Sequence, residues 1–281
     1  MLRTALVTTA VAAALVAAGS AQSRNSTRDS TRDFTRDASR GRALSCDDHT
    51  YGDDRATHCE MREDTIGGAN PLDIDAGRNG GIRVRGWDRG DVLVRSKVQT
   101  QARTDADARR LAAGVRVDTG GGRVRADGPD TGRDEGWSVS FEVNVPRAAM
   151  LTLTTNNGGI SIDDFRGSAR FHARNGGLTL SNVGGDIKGE TTNGGVTVDL
   201  AGDHWDGAGL DVETRNGGIR MTLPKGFSAQ LETASTHGGI SVDFPVTVQG
   251  AFRSRLETTL GSGGPKIRAI TTNGGVSIRQ R

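Results

Sequence analysis

Glu190, Glu213 and His172 are the residues whose types and spacing could do chemistry. Glu190 and Glu213 stand 23 residues apart and His172 lies 18 before Glu190. Two carboxylates about 5–10 Å apart can work as acid and base, or as acid and nucleophile, on a glycosidic bond. The same carboxylates, with His172 and the cations Arg170, Arg174, Lys188 and Arg215, could equally hydrogen-bond sugar hydroxyls without turning anything over. A wet ladder of alternating charges is the third account of these residues, and it needs no ligand. No cleft-forming insertion interrupts the stretches that carry them, which counts against catalysis.

What must position these side chains is a repeat. Asn-Gly-Gly followed by an apolar-polar-apolar triplet occurs at Asn157-Gly158-Gly159, Asn175-Gly176-Gly177, Asn193-Gly194-Gly195, Asn216-Gly217-Gly218 and Asn273-Gly274-Gly275. His237-Gly238-Gly239 is the same phrase with His in place of Asn. The spacings in chain order are 18, 18, 23, 21 and 36 residues, and Gly263-Gly264 reads as a weaker copy in the last gap. Such a period with a fixed glycine corner predicts an all-β fold, a β-solenoid of stacked strand-turn-strand rungs of about 20 residues. Stacked hairpins in a sandwich are the competing topology.

Aligned on the second glycine, every copy has an apolar or small residue eight, six and four positions upstream. The three columns are Leu151, Ala169, Ile187, Leu210, Leu231, Ile267; then Leu153, Phe171, Gly189, Val212, Thr233, Ala269; then Thr155, Ala173, Thr191, Thr214, Ser235, Thr271. Alternation with polar positions is the period of a strand with one buried face. The glycines are expected to supply positive φ at the corner, and Asn to tolerate it. Between the inward columns lie Thr154, His172, Glu190, Glu213, flanked by Arg170, Lys188, Asp211 and by Asn156, Arg174, Arg215. Beyond the corner, Ser161, Thr179, Thr197, Ser241 and Ser277 form a hydroxyl row broken by Arg220. His237, Ser241 and Asp243 have the residue types of a catalytic triad but lie along one strand, so they read as coincidence.

The rest of the chain divides by composition. Residues 1–21 read as a secretory signal peptide, with Arg3, an apolar run from Ala5 to Ala18 and small residues to Ala21. Retention as a membrane anchor is the alternative, and no second apolar span follows. Residues 22–45 form a Thr-Arg-Asp-rich linker, too poor in apolar side chains to offset the entropy of ordering. Residues 46–150 read as a β-rich region with one helix from Thr104 to Gly114, and 151–281 as the repeats.

Cys46 and Cys59, the only cysteines, are expected to pair in an exported chain. A bridge there could add about 3 kcal/mol. Around them Asp47, Asp48, His49, Asp53, Asp54, His58, Glu60, Glu63 and Asp64 have no recognised metal-ligand spacing. They read as a stapled acidic loop, with neither metal nor cofactor implied. An early copy of the phrase at Leu72–Asp75 and Gly80–Arg85 has its upstream apolar positions shifted by one residue. A net charge of +2 gives no reason to expect nucleic acid as a partner.

The passages Cys59-Glu60-Met61-Arg62-Glu63, Gly80-Gly81-Ile82-Arg83-Val84-Arg85-Gly86-Trp87 and the recurrent Thr-Asn-Gly-Gly resemble the bacterial putative-adhesin family of β-strand-repeat proteins (the DUF4097 type). The resemblance runs from about Cys59 to Arg281. It implies an extracytoplasmic β-solenoid and supplies no catalytic residues. The expected role is an exported, non-enzymatic, adhesin-like or structural module, secreted or held in the periplasm or cell envelope. A cell-surface glycan or an envelope protein would be its partner. A polysaccharide-acting enzyme and an accessory to an envelope-stress sensor are the alternatives.

Overall fold

A computed structural model describes residues 43–47, 55–68, 70–246 and 254–281. The expected signal peptide, most of the linker, and Asp48, His49, Asp53 and Asp54 lie outside the described residues. Cys46 and Cys59 form a disulfide, with Cα atoms 5.8 Å apart.

The fold is all-β apart from one described helix, built as two ten-stranded mixed sheets. In each Asn-Gly-Gly copy the longer upstream strand lies in one sheet and the short triplet in the other. The pairs are β8 (Met150–Asn157) with β9 (Ile160–Asp163), β10 (Ser168–Asn175) with β11 (Leu178–Ser181), and β12 (Asp186–Asn193) with β13 (Val196–Asp199). Next come β14 (Gly209–Asn216) with β15 (Ile219–Leu223), β16 (Ala229–His237) with β17 (Ile240–Val242), and β19 (Lys266–Asn273) with β20 (Val276–Gln280). Neighbouring copies pair parallel and in register: Leu151, Ala169, Ile187, Leu210, Ile267 and Leu231 stand side by side. All six are buried in one hydrophobic core that runs from Leu72 to Ile278.

Space does not follow chain order throughout. β19 lies between β14 and β16, so the last copy sits inside the stack and the His237 copy lies beyond it. β18 (Arg255–Leu260) pairs antiparallel with β16 and closes that edge of its sheet. Gly263-Gly264, expected as a weak copy, belongs instead to the turn joining β18 to β19.

The early copy does join the array. β2 (Leu72–Asp75) pairs with β8, setting Leu72 beside Leu151, and β3 (Ile82–Trp87) pairs with β9. The one-residue shift is absorbed between Asp75 and Asn79, where four steps oppose three from Thr154 to Asn157. Gly77 takes φ +65° there, which a β-carbon would strain.

β4 (Val92–Ala102) and β7 (Gly136–Pro146) extend the first sheet, and β5 (Arg116–Asp118) and β6 (Arg123–Asp127) the second. The helix α1 (Asp105–Gly114) begins as expected, with the Thr104 hydroxyl accepting from the Asp107 amide at 3.2 Å. It buries Ala108, Leu111 and Ala112. The expected acidic loop is in part a strand. β1 (Ala56–Ile66) pairs antiparallel with β4 over eleven residues. Its polar composition carries no alternation, because the backbone ladder and not an apolar stripe holds it.

Candidate functional site

At the Asn-Gly-Gly corners the physical reason for glycine is not the expected one. The first glycines Gly158, Gly176, Gly194, Gly217 and Gly238 do not have positive φ; only Gly274, at +157°, does among the six. None of the corner asparagines has it either. What excludes a side chain is the neighbouring copy. A β-carbon on Gly176 would lie 1.9 Å from the Gly158 carbonyl oxygen, and one on Gly194 2.1 Å from that of Gly176. The asparagines form a ladder: Asn175 donates to Asn157, Asn193 to Asn175 and Asn216 to Asn193, each at 2.8 Å, and Asn273 to Asn216 at 2.7 Å. Hydroxyls tie adjacent copies from inside, as Thr191 donates to the Gly176 carbonyl and Thr214 to that of Gly194, both at 2.7 Å. The left-handed residues sit at the opposite corner, Asp164 at φ +55° and Asn182 at +49°. There Asn182 donates to the Asp164 carboxylate at 2.7 Å.

This stacking fixes two outward rows on the sheet that carries β8, β10, β12 and β14. One row reads Thr152, Arg170, Lys188, Asp211, Arg268, Glu232. The other reads Thr154, His172, Glu190, Glu213, Ile270, Ala234. The first four residues of each row border an open groove of about 400 Å³, with Leu153, Phe171 and Gly189 also lining it. His172 Nδ1 and Glu190 Oε1 are 2.8 Å apart. Arg268 donates to Asp211 at 2.6 Å and also to Glu213. Arg170 stands 3.6 Å from Asp186. Burial pulls the Arg268 pKa down, but its bonds to Glu213 and Asp211 outweigh that and raise it above the usual guanidinium value.

Glu190 and Glu213 are in register on adjacent strands, so strand spacing brings their backbones to about 4.8 Å. Each is already held by a base, and their side chains are 66% and 50% exposed, so water reaches both. Arg170, His172, Lys188, Glu190 and Glu213 line the groove, whereas the exposed Arg174 and Arg215 do not. Arg268 is the residue the sequence reading missed. Its signal was available, because it stands seven before Gly275 in the column already followed to Asp211. Arg255 and Lys266 hold Glu232 at 2.9 and 3.1 Å at the far end of the same row.

The opposite sheet presents Arg83, Ser161, Thr179, Thr197, Arg220, Ser277 and Ser241 in one register row. His237 makes no bond to Ser241 or Asp243 among the described residues; Asp243 accepts from the Gln280 amide at 2.9 Å. Beside the row, Asp163 accepts from Ser161 at 3.2 Å. Burial pushes the Asp163 pKa above its usual range, against the bonds from Ser161 and Ser181 and the charge of Arg83. A carboxyl raised in the folded state ionises first in the unfolded chain. Stability therefore falls as pH climbs through the carboxylate range and stays lower above it. Asp163→Asn should raise Tm by about 1–3 °C at pH 7 and by less at pH 4. A variant less stable than the parent at pH 7 would show that the charge is favourable there.

Among the described residues, no three His, Cys, Asp or Glu side chains converge to hold a metal, and no helix is long and apolar enough to cross a membrane. No curated protein matches the chain. Solved structures that it resembles include a putative cell adhesion protein from Clostridium sporogenes ATCC 15579, 10% identical over 80% of this chain and 100% of that one, with a TM-score of 0.40. A putative adhesin from Bacteroides fragilis NCTC 9343 is 11% identical over 79% of this chain and 97% of its own, at a TM-score of 0.30. A putative lipid binding protein from Parabacteroides distasonis ATCC 8503 is 12% identical over 78% and 96%, at 0.23. The family model described as Toastrack DUF4097 matches residues 88–279, more than half of the sequence, and the chain belongs to that family.

Proposed function

We propose that the protein is an exported, non-enzymatic binding module of the cell envelope, and that its repeats form a β-solenoid displaying a saccharide-binding groove. The carrying observation is the groove itself. In it Arg170, His172, Lys188, Glu190, Asp211 and Glu213 converge on a floor of in-register strands. Hydrogen-bond donors and acceptors set side by side at strand spacing suit a chain of sugar hydroxyls, and a backbone already fixed in strands lowers the ordering cost on binding. Paired, water-exposed carboxylates suit binding better than acid catalysis, which needs one carboxyl kept protonated. Export is supported by the Ala5–Ala18 apolar run and by the Cys46–Cys59 disulfide, since such bonds persist in oxidising compartments.

A glycan array probed with the mature chain tests this. The expected result is selective binding that falls at least tenfold in Glu190→Gln and in His172→Ala, with no release of reducing ends from any bound polysaccharide. Turnover that Glu190→Gln abolishes would replace the binding reading with an enzymatic one. An array without a single hit would remove the groove's assignment.

A further inference from the structure

The charges along the groove do not alternate throughout, and in one row the break has a single location. In the row Thr152, Arg170, Lys188, Asp211, Arg268, Glu232, opposite charges alternate from Lys188 onward. Arg170 and Lys188 are the exception, two cations directly opposite on neighbouring parallel strands. Like charges in that position destabilise a sheet. The acidic counterpart in the second row, Glu190 opposite Glu213, is relieved on both sides, by His172 and by Arg268.

The cations are relieved less well, Arg170 donating to the Ser168 hydroxyl at a long 3.5 Å. Asp211, the in-register neighbour of Lys188, is bonded to Arg268 at 2.6 Å. Asp186 stands 3.6 Å from Arg170, beyond good charge-assisted bonding. The Lys188 side chain is exposed and has no hydrogen bond or ion pair with any described residue. Beyond Arg170 the row continues to neutral Thr152, with Thr154 and His172 across from it. Thr152, Thr154, Arg170, His172, Lys188 and Asp211 line the same groove.

We infer that the groove takes an anionic saccharide whose carboxylate or phosphate seats between Arg170 and Lys188. The inference rests on the saccharide reading above and adds the charge of the ligand and its place. A fork of guanidinium donors beside a mobile ammonium fits a carboxylate or a phosphate oxygen set. Thr152, Thr154, His172 and Glu190 then surround the adjoining sugar with hydroxyl-bonding groups. Binding an anion there removes the repulsion that the free chain carries, so the stability lost in the empty groove returns as affinity.

Calorimetric titration of the mature chain with three oligomers tests the inference: galacturonate, its methyl ester, and glycerol phosphate. The expected result is that galacturonate or glycerol phosphate binds at least tenfold more tightly than the ester. The preferred one identifies carboxylate or phosphate as the source of the charge. Lys188→Gln and Arg170→Gln should each weaken that binding at least tenfold while keeping or raising the ligand-free Tm, a combination that a merely structural role would not give. Equal binding of ester and acid, or binding unchanged in Lys188→Gln, overturns the anion site and leaves the saccharide groove standing. Loss of all three titrations overturns the anion site as well, and the array result then decides the fate of the groove.

Discussion

Gly176→Ala is expected to unfold the repeats or lower their stability by more than about 3 kcal/mol, while Gly239→Ala changes it by less than about 1 kcal/mol. The two residues look alike in sequence, each half of a Gly-Gly pair. They differ in what stands beside them. The added methyl at Gly176 would meet the Gly158 carbonyl oxygen at 1.9 Å, its carbon at 2.4 Å and the Gly159 nitrogen at 2.9 Å. These are backbone atoms of the adjacent copy, so no rotamer change relieves the clash. The copies would have to separate, breaking the bond from the Gly158 amide to the Asn175 carbonyl at 3.1 Å and the Asn175–Asn157 rung of the ladder. Nothing lies within 4 Å of a β-carbon on Gly239. Urea denaturation of both variants, followed by circular dichroism, gives the comparison. Equal losses would mean that the corners are sensitive to glycine as such and not to the approach of the next copy.

The inward columns were legible because strand period is two and each copy is anchored by its glycines. Leu151, Ile187, Leu210 and Ile267 therefore fall side by side as the alignment placed them. The corner chemistry was misread for a physical reason. Close approach of two copies is a property of the stack, invisible in one copy, whereas positive φ is the local reason for glycine that any single turn suggests. The swapped order of the last two copies was hidden for a related reason. Local alternation says which face a strand presents but not which neighbour it takes. The 36-residue gap from Asn-free His237-Gly238 to Asn273 contains β18, whose antiparallel pairing with β16 leaves β19 to join β14. β1 was missed because its faces are polar on both sides.

The groove was legible to the same depth as the columns. His172, Glu190 and Glu213 were placed in one row by alignment, and in the structure they stand in one row. Which of them are free was not legible. The pairing of Arg268 with both Asp211 and Glu213 depends on β19 neighbouring β14, which chain order would have denied. The same inserted strand therefore decides which carboxylates are neutralised and leaves the Lys188 side chain as a cation without a partner among the described residues.

Phe171→Ala is expected to cost about 3–5 kcal/mol, and the loss should be partly recovered by enlarging Gly189 in the same chain. In the column Leu153, Phe171, Gly189, Val212 the largest and smallest side chains are adjacent, and the register pairs Phe171 with Gly189. A β-carbon on Gly189 would lie 1.9 Å from Phe171 Cε2 and 2.3 Å from Cζ, so the ring occupies the volume that a side chain at 189 would fill. Phe171 is 4% exposed, and removing its ring opens an apolar hole that the rigid backbone ladders on either side cannot close. Gly189→Val alone should cost about 1–3 kcal/mol, because the clash is with a side chain that can shift only within a full core. With Phe171→Ala already present, the valine methyl groups enter the vacated space. The double variant should then be more stable than Phe171→Ala alone, with an interaction of about 1–3 kcal/mol between the two sites. Additive losses in the double-mutant cycle would show that Phe171 and Gly189 fill separate spaces, and the size matching between adjacent copies would lose its basis.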